Sequence, residues 1–244
     1  MGEILKISDS YTRVARLYPG VIAAVPVVWT VALAAPKLLE FSIASTTVLA
    51  LLGAAVLYAL ASIARSRGKI LEPKLLESWG GWPTTAMLRY RNDTLDAYTK
   101  ARYRAALKNL CPTLPWPTED DERREPAEAD MVYRSATLAL IEQRRDPKYK
   151  LLHRENASYG FRRNLHGLKP IGIAIILVCA LAIGGAWQLW PGTVSIDTLA
   201  LIGVVDIAML AFWLAVAKRS YVRQAAVEYG LALFRTLDEA GPTP

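Results

Sequence analysis

Four long apolar runs constrain the fold of this 244-residue chain more than any other feature. The runs at 21–35, 43–64 and 171–190 carry no charged residue, and the run at 199–217 carries one, Asp206. A helix that crosses the hydrocarbon core of a bilayer needs about 20 apolar residues. The run lengths therefore predict four transmembrane helices.

The short links between the runs predict two helical hairpins, turning at 36–41 and at 191–198. Basic residues lie at the opposite ends of the runs, for example Arg65 after the second run and Lys218 after the fourth. Lys and Arg are enriched in cytoplasmic loops. Both termini and the long middle segment are therefore predicted to be cytoplasmic.

The expected fold class is an all-α membrane protein, with two transmembrane hairpins flanking a helical cytoplasmic domain, because no segment alternates polar and apolar residues with the period of a strand. The predicted regions are an amphipathic N-terminal helix at 1–20, hairpins at 21–64 and 170–217, a cytoplasmic sensor domain at 65–169 and a C-terminal cytoplasmic helix at 218–244. The last helix is expected to extend the fourth span. Its apolar stripe needs a cover, either the middle domain or a neighbouring chain.

Local signals divide the middle domain into helices. A tight turn at 79–85 is expected to lead into a helix that starts at Thr84 or Thr85 and ends at Leu110. Further helices are predicted at 127–145 and 150–164, and the proline-rich acidic stretch 112–126 is predicted to be a solvated loop.

Asp206 is the one charged residue inside a predicted span. An intramembrane carboxylate is costly and commonly faces a bundle interior or water. Helical spacing places it on one face with Ile202, Met209 and Trp213. One interpretation is a pore or gating residue. The other is a structural hydrogen bond to a hydroxyl on a neighbouring helix, offered by Thr30, Ser45, Thr46 or Thr47.

A basic segment precedes the third span. Eight cations within 144–169 face only two acids, whereas 65–143 is nearly balanced at 13 basic and 12 acidic residues. Three interpretations stay open: a topology signal, contact with anionic headgroups, or a nucleotide or oligonucleotide site with aromatic stacking. The candidate ligand-binding residues are Arg144, Arg145, Lys148, Tyr149, Lys150, Arg154, Tyr159, Arg162 and Arg163.

Catalytic motifs are absent from the sequence. It contains no HExxH, GxSxG or phosphate-loop pattern, and two cysteines and two histidines cannot supply a typical metal site. We therefore expect neither an enzyme nor a cofactor or metal.

The chain resembles the four-helix channel effectors of Hailong-type bacterial anti-phage defence. The resemblance rests on the Trp79–Thr85 stretch, the pair Arg145 and Asp146, and the stretch Tyr159–Asn164. It implies a homo-oligomeric ion channel in the bacterial inner membrane, controlled by a nucleotide or short single-stranded oligonucleotide, with a nucleotidyltransferase encoded alongside. The alternative is a non-conducting anchor or scaffold that recruits a cytoplasmic partner to the lipid bilayer.

Overall fold

The computed structural model describes residues 11, 13–34, 43–192 and 194–239, and this part of the chain is helical, with no strand. The helices are α1 (Tyr18–Ala34), α2 (Ile43–Trp79), α3 (Pro83–Leu88), α4 (Ala97–Leu110), α5 (Glu119–Arg124), α6 (Pro126–Gln143), α7 (Lys150–Leu189), α8 (Ile196–Ala215) and α9 (Arg219–Glu239). A π-helical segment, Arg13–Leu17, precedes α1.

Four helical stretches are long and apolar enough to cross a membrane: Arg13–Ala34, Ala50–Leu88, Lys150–Leu189 and Ile196–Ala215. The all-α fold class and the four membrane-length helices are thereby confirmed. The pairing into two hairpins and the cytoplasmic termini stay predictions. Most of the predicted N-terminal helix and the link at 36–41 lie outside the described residues.

Two membrane-length helices extend well beyond their apolar runs. α2 has 37 residues and α7 has 40. The predicted separate helix at 150–164 is therefore wrong, since α7 runs through Pro170 without a break. A proline removes one backbone hydrogen bond of a helix. Burial of Leu165, Leu168 and Ile176 on both sides of Pro170 offsets that loss.

The predicted helix from Thr84 or Thr85 to Leu110 is also wrong, because it is two helices. α3 ends at Leu88, and α4 begins after Asp96, whose carboxylate accepts a hydrogen bond from the Thr99 amide at 2.9 Å. An N-cap of this kind satisfies an amide that the helix itself leaves unpaired.

The acidic stretch 112–126 is not wholly a loop, because a capping box between Thr118 and Asp121 starts α5 there.

The predicted extension of the fourth span by the C-terminal helix is wrong. α9 does not extend α8, since residues 216–218 separate them. The turn predicted at 79–85 is shorter in the structure, since α3 begins at Pro83. The turn at 79–83 has positive φ at Gly80 (73°) and Gly81 (112°). Glycine adopts such angles at no steric cost.

The chain forms two compact units. The first contains the described residues among 1–72 and 160–222, and the second contains 73–159 with 223–239. The middle segment of the second unit, 73–159, is thus shorter than the predicted domain at 65–169, and the unit also includes most of the C-terminal helix.

The first unit is built on close helix contacts. Its core residues come from α1, α2, α7, α8 and the link at 216–218: Ala23, Ala64, Leu165, Leu168, Ile176, Trp213 and Ala217. α2 and α7 touch backbone to backbone, since a Cβ added to Gly167 would lie 2.7 Å from the Gly68 nitrogen. Small residues at such a crossing allow helices to approach closely.

The second unit has a larger apolar core. Tyr133, Leu140 and Leu107 are fully buried in it, together with Leu233 and Phe234 of α9. Tyr103 stacks on Phe234 with ring centroids 5.8 Å apart. The apolar stripe of the C-terminal helix is therefore covered by the middle segment of the same chain.

Candidate functional site

Asp206 lies inside the first unit. Ile202, Asp206 and Trp213 are the buried residues of α8 and form the face that the helical spacing predicted. The Asp206 side chain is only 7% exposed, and its Oδ1 has no hydrogen-bond partner among the described residues. A buried polar oxygen without a partner costs free energy that a hydrogen bond or water would recover.

The predicted structural hydrogen bond of Asp206 is absent from the described part of the chain. The Thr30 hydroxyl on α1 is itself buried without a partner, and Thr47 is exposed. The side chains of Ser45 and Thr46 lie outside the described residues. The indole Nε1 of Trp213, two turns along α8, is also buried and unpartnered. Among the described residues, α1 thus holds one buried polar atom without a hydrogen-bond partner, and α8 holds two.

The burial of Asp206 also bears on how it could act. A carboxylate inside the helices of one chain does not lie on that chain's outer surface. A simple role as a lining residue between neighbouring chains therefore fits the geometry poorly. A gating role fits better, because any rearrangement that admits water to Asp206 would relieve its desolvation.

The candidate ligand-binding cations fall into an exposed group and a buried group. Arg145, Lys148, Lys150 and Arg154 are exposed in the second unit. Arg145 pairs with Glu142 at 2.6 Å, and Arg154 pairs with Glu155 at 3.2 Å. Exposed pairs of this kind contribute little to stability, so their cations can exchange one anionic partner for another.

Arg144 and Tyr149 contribute to the fold of the second unit. Tyr149 is 9% exposed and belongs to the apolar core, so its ring is not displayed for stacking on a base. The Arg144 guanidinium lies over that ring at 5.3 Å, and its Nε donates to the Thr236 hydroxyl at 3.2 Å. Lys148 covers the same ring at 5.1 Å.

The remaining candidates are also buried or engaged. Tyr159 is 8% exposed in the second unit. In the first unit, Arg162 lies over the Tyr221 ring at 4.2 Å and donates to the Tyr221 carbonyl. Arg163 is buried and pairs with Glu72 at 2.7 Å. Four of the nine predicted residues are therefore exposed, and they lie within one short stretch of the second unit, residues 145–154. We call Arg145, Lys148, Lys150 and Arg154 the cationic surface.

A groove that the sequence analysis missed lies in the second unit, next to the turn at 79–83. It has a volume of 430 Å³ and runs between Trp82 and the exposed Met131 and Leu138 of α6. The buried Thr85 hydroxyl, which has no hydrogen-bond partner, lines it. We call it the Trp82 groove. Met131 and Leu138 are seven residues apart, a helical spacing that could have indicated a shared exposed face.

Small residues are exposed on two membrane-length helices. Ala50 and Ala54 lie on α2, and Ala180 and Gly184 lie on α7. No atom of the described chain lies within 4 Å of a Cβ added to Gly184. Among the described residues, these pairs therefore do not serve the packing of helices within one chain.

Comparison with known proteins gives no relative. No family model matches the chain, and neither a curated protein nor a solved structure is detectably similar to it.

Proposed function

We propose that this protein is an oligomeric ion-channel effector of a bacterial inner membrane, acting in anti-phage defence. Its observed basis is Asp206, a buried carboxylate in a helix of membrane-spanning length, whose Oδ1 has no hydrogen-bond partner among the described residues. In this proposal Asp206 is a gating residue. Its burial makes the closed state costly, and opening hydrates the carboxylate.

Assembly follows from the size of the chain. Four spans enclose little space beyond their own packed side chains, so a conducting path requires several copies. The exposed small residues at Ala50, Ala54, Ala180 and Gly184 suit close contacts between helices of neighbouring chains.

The cationic surface is the proposed site of control. Its four side chains can contact phosphates of a nucleotide or a short single-stranded oligonucleotide, which a nucleotidyltransferase encoded alongside would produce. A ligand moves a closed–open equilibrium only through its different affinity for the two states. Contacts between the ligand and these long, exposed side chains can differ between the closed and open states without a rearrangement of the core.

Substitution of Asp206 tests the gating role. Asp206→Asn removes the charge but keeps the shape, so the closed state should become less costly. Reconstituted protein should then open less often in planar-bilayer recordings. The matched control is Asp197→Asn, an exposed carboxylate in the first turn of the same helix. Equal open probabilities for the two variants would contradict the proposal.

Oligonucleotide binding tests the control site. If four phosphates are neutralised, the logarithm of the affinity for a short oligothymidylate should fall against log salt with a slope of roughly −2.8. Reversing all four cations of the cationic surface to Glu should abolish binding. The control variant carries Glu at four other exposed cations of the same unit: Lys74, Arg102, Arg123 and Arg235. This variant should retain oligonucleotide binding.

A scaffold function is the second candidate, and the Trp82 groove favours it. Exposed Met131 and Leu138 beside an unpartnered buried hydroxyl suit an apolar segment of a cytoplasmic protein. A scaffold should leave the membrane potential of expressing cells unchanged, whereas a channel should lower it. Leu138→Glu should then abolish the defence phenotype in plaque assays, and the reconstituted wild-type protein should show no conductance.

A further inference from the structure

A second groove, of 410 Å³, lies along α4 and is lined by two rows of residues. Ala97, Ala101 and Ala105 are spaced four apart, and so are Lys100, Arg104 and Lys108. Residues four apart on a helix share a face, and the two rows are neighbours because they are offset by three. The groove therefore combines a low alanine floor with a row of cations. Tyr90 completes the lining.

Two of these cations are buried and bonded to backbone carbonyls. Lys100 and Arg104 are 7% and 5% exposed. The Lys100 ammonium donates to the carbonyls of Tyr90 and Asn92. Arg104 donates to the carbonyls of Leu88 and Pro117, at 2.9 and 3.1 Å. Neither cation forms an ion pair with a carboxylate in the described part of the chain.

Both cations keep donors for another partner. An ammonium has three N–H groups and a guanidinium has five. On each of the two side chains, two of these groups donate to the backbone carbonyls. A buried cation bonded only to neutral acceptors retains a desolvation cost that a counter-anion offsets. Lys108 is exposed at the end of the row and adds a third positive charge.

The absence of acids from the lining distinguishes this groove from two others in the same unit. The Trp82 groove contains Asp130, which neutralises Arg89 through a bidentate pair. A third groove contains Asp121, Glu125 and Glu128. Among the described residues, only cations, alanines and Tyr90 line the groove along α4.

We infer that the groove along α4 binds a phosphate group, with Lys100, Arg104 and Lys108 as its cations. The alanine floor leaves room for the body of the ligand, and Arg104 lies over the Tyr90 ring at 3.7 Å, which fixes its guanidinium plane. The phosphate is either free in solution or part of an anionic lipid headgroup. The inference does not depend on the proposed channel function, because the cationic surface at 145–154 is a different set of residues.

Local hydrogen exchange of the full chain in phosphatidylcholine nanodiscs tests for a free phosphate. Inorganic tripolyphosphate should slow amide exchange across residues 89–108, even if the cationic surface also binds it. Lys108→Glu should weaken this protection about tenfold in tripolyphosphate concentration, as expected for reversing one charge near an anion. Lys74→Glu, an equally exposed cation of the same unit, should leave it unchanged.

Retained lipid tests for the headgroup. Native mass spectrometry of detergent-purified protein should then show bound phosphatidylglycerol in the wild type and in Lys74→Glu, but not in Lys108→Glu. Ala101→Phe fills the floor without changing charge, and it should reduce binding in whichever of the two experiments detects it. If Lys108→Glu and Lys74→Glu behave alike in both experiments, the groove is not a phosphate site.

Discussion

The Arg163 guanidinium donates to the Glu72 carboxylate at 2.7 Å and so links α7 to α2 inside the first unit. The two side chains are 10% and 19% exposed. Sequence spacing had grouped Arg163 with the ligand-binding cations. Its partner is instead an acid 91 positions earlier in the chain, so its charge is already compensated within the fold.

Removing the acid of this pair should destabilise the protein strongly. Glu72→Ala leaves Arg163 as a buried cation without its carboxylate, which costs roughly 3 kcal/mol or more. We expect a clear drop in the thermal unfolding midpoint in detergent, measured by tryptophan fluorescence. Glu77→Ala, an exposed glutamate on the same helix, is the control and should leave the midpoint nearly unchanged. Similar midpoints for both variants would mean that the pair does not stabilise the fold.

The contact between Gly68 and Gly167 predicts a steric effect. A methyl group at position 167 would lie 2.7 Å from a backbone nitrogen that cannot move aside cheaply. Gly167→Ala should therefore separate α2 from α7 and lower the unfolding midpoint. Gly53→Ala, where nothing lies within 4 Å, should leave the midpoint unchanged or raise it slightly through helix propensity. A stable Gly167→Ala variant would show that the two helices can slide apart without loss.

The membrane-length helices and the buried face of α8 could be predicted because they depend on local properties. Run length decides whether a helix can span a bilayer, and a period of 3.6 residues decides which side chains share a face. Ile202, Asp206 and Trp213 follow directly from that period. The helix boundaries were harder to predict from the sequence. The end of α3 and the cap at Asp96 depend on short polar segments whose conformation competes closely between helix and turn.

For the candidate ligand-binding residues, the sequence could not predict which side chains are exposed. Charge and aromatic content can be read from a sequence, but exposure depends on tertiary contacts. Tyr149 and Arg163 became part of the fold through residues distant in the chain. Conversely, the sequence shows a cation every fourth residue at Lys100, Arg104 and Lys108. Their groove could not be predicted, because it depends on how the carbonyls of residues 88–92 hold Lys100 and Arg104 in the folded chain.

The exposed glycine at position 184 offers a test of the proposed assembly of several copies. If α7 contacts a neighbouring chain there, a bulky side chain should prevent close approach of the helices. Gly184→Ile should shift the mass distribution of the detergent-solubilised protein toward smaller species in mass photometry. Gly203→Ile, also without neighbours within 4 Å of the added Cβ, is the control on another membrane-length helix. An unchanged oligomer in Gly184→Ile would exclude this face from the interface.

A buried hydrogen bond in the second unit gives a prediction with a defined pH dependence. The Tyr133 hydroxyl is fully buried and donates to the Glu122 carboxylate at 2.8 Å, and the Tyr90 amide donates to the same group. Tyr133→Phe leaves that buried carboxylate with one donor fewer, at a cost of about 1–3 kcal/mol. Because a protein of this size loses about 2–4 °C per kcal/mol, the unfolding midpoint should fall by roughly 2–12 °C. Tyr98→Phe is the control, since Tyr98 is 89% exposed.

Burial, and then the hydrogen bond to Glu122, raise the pKa of Tyr133 well above its ordinary value. A raised pKa means that the protonated hydroxyl is favoured in the folded state. Its contribution is therefore fully present below the unfolded-state pKa of about 10, and it is lost as pH rises through the folded-state value. The difference in midpoint between wild type and Tyr133→Phe should stay constant from neutral pH to about pH 9 and shrink above about pH 10. A difference that shrank between pH 7 and 9 would mean that the hydroxyl ionises there, and that its hydrogen bond to Glu122 is not the stabilising contact.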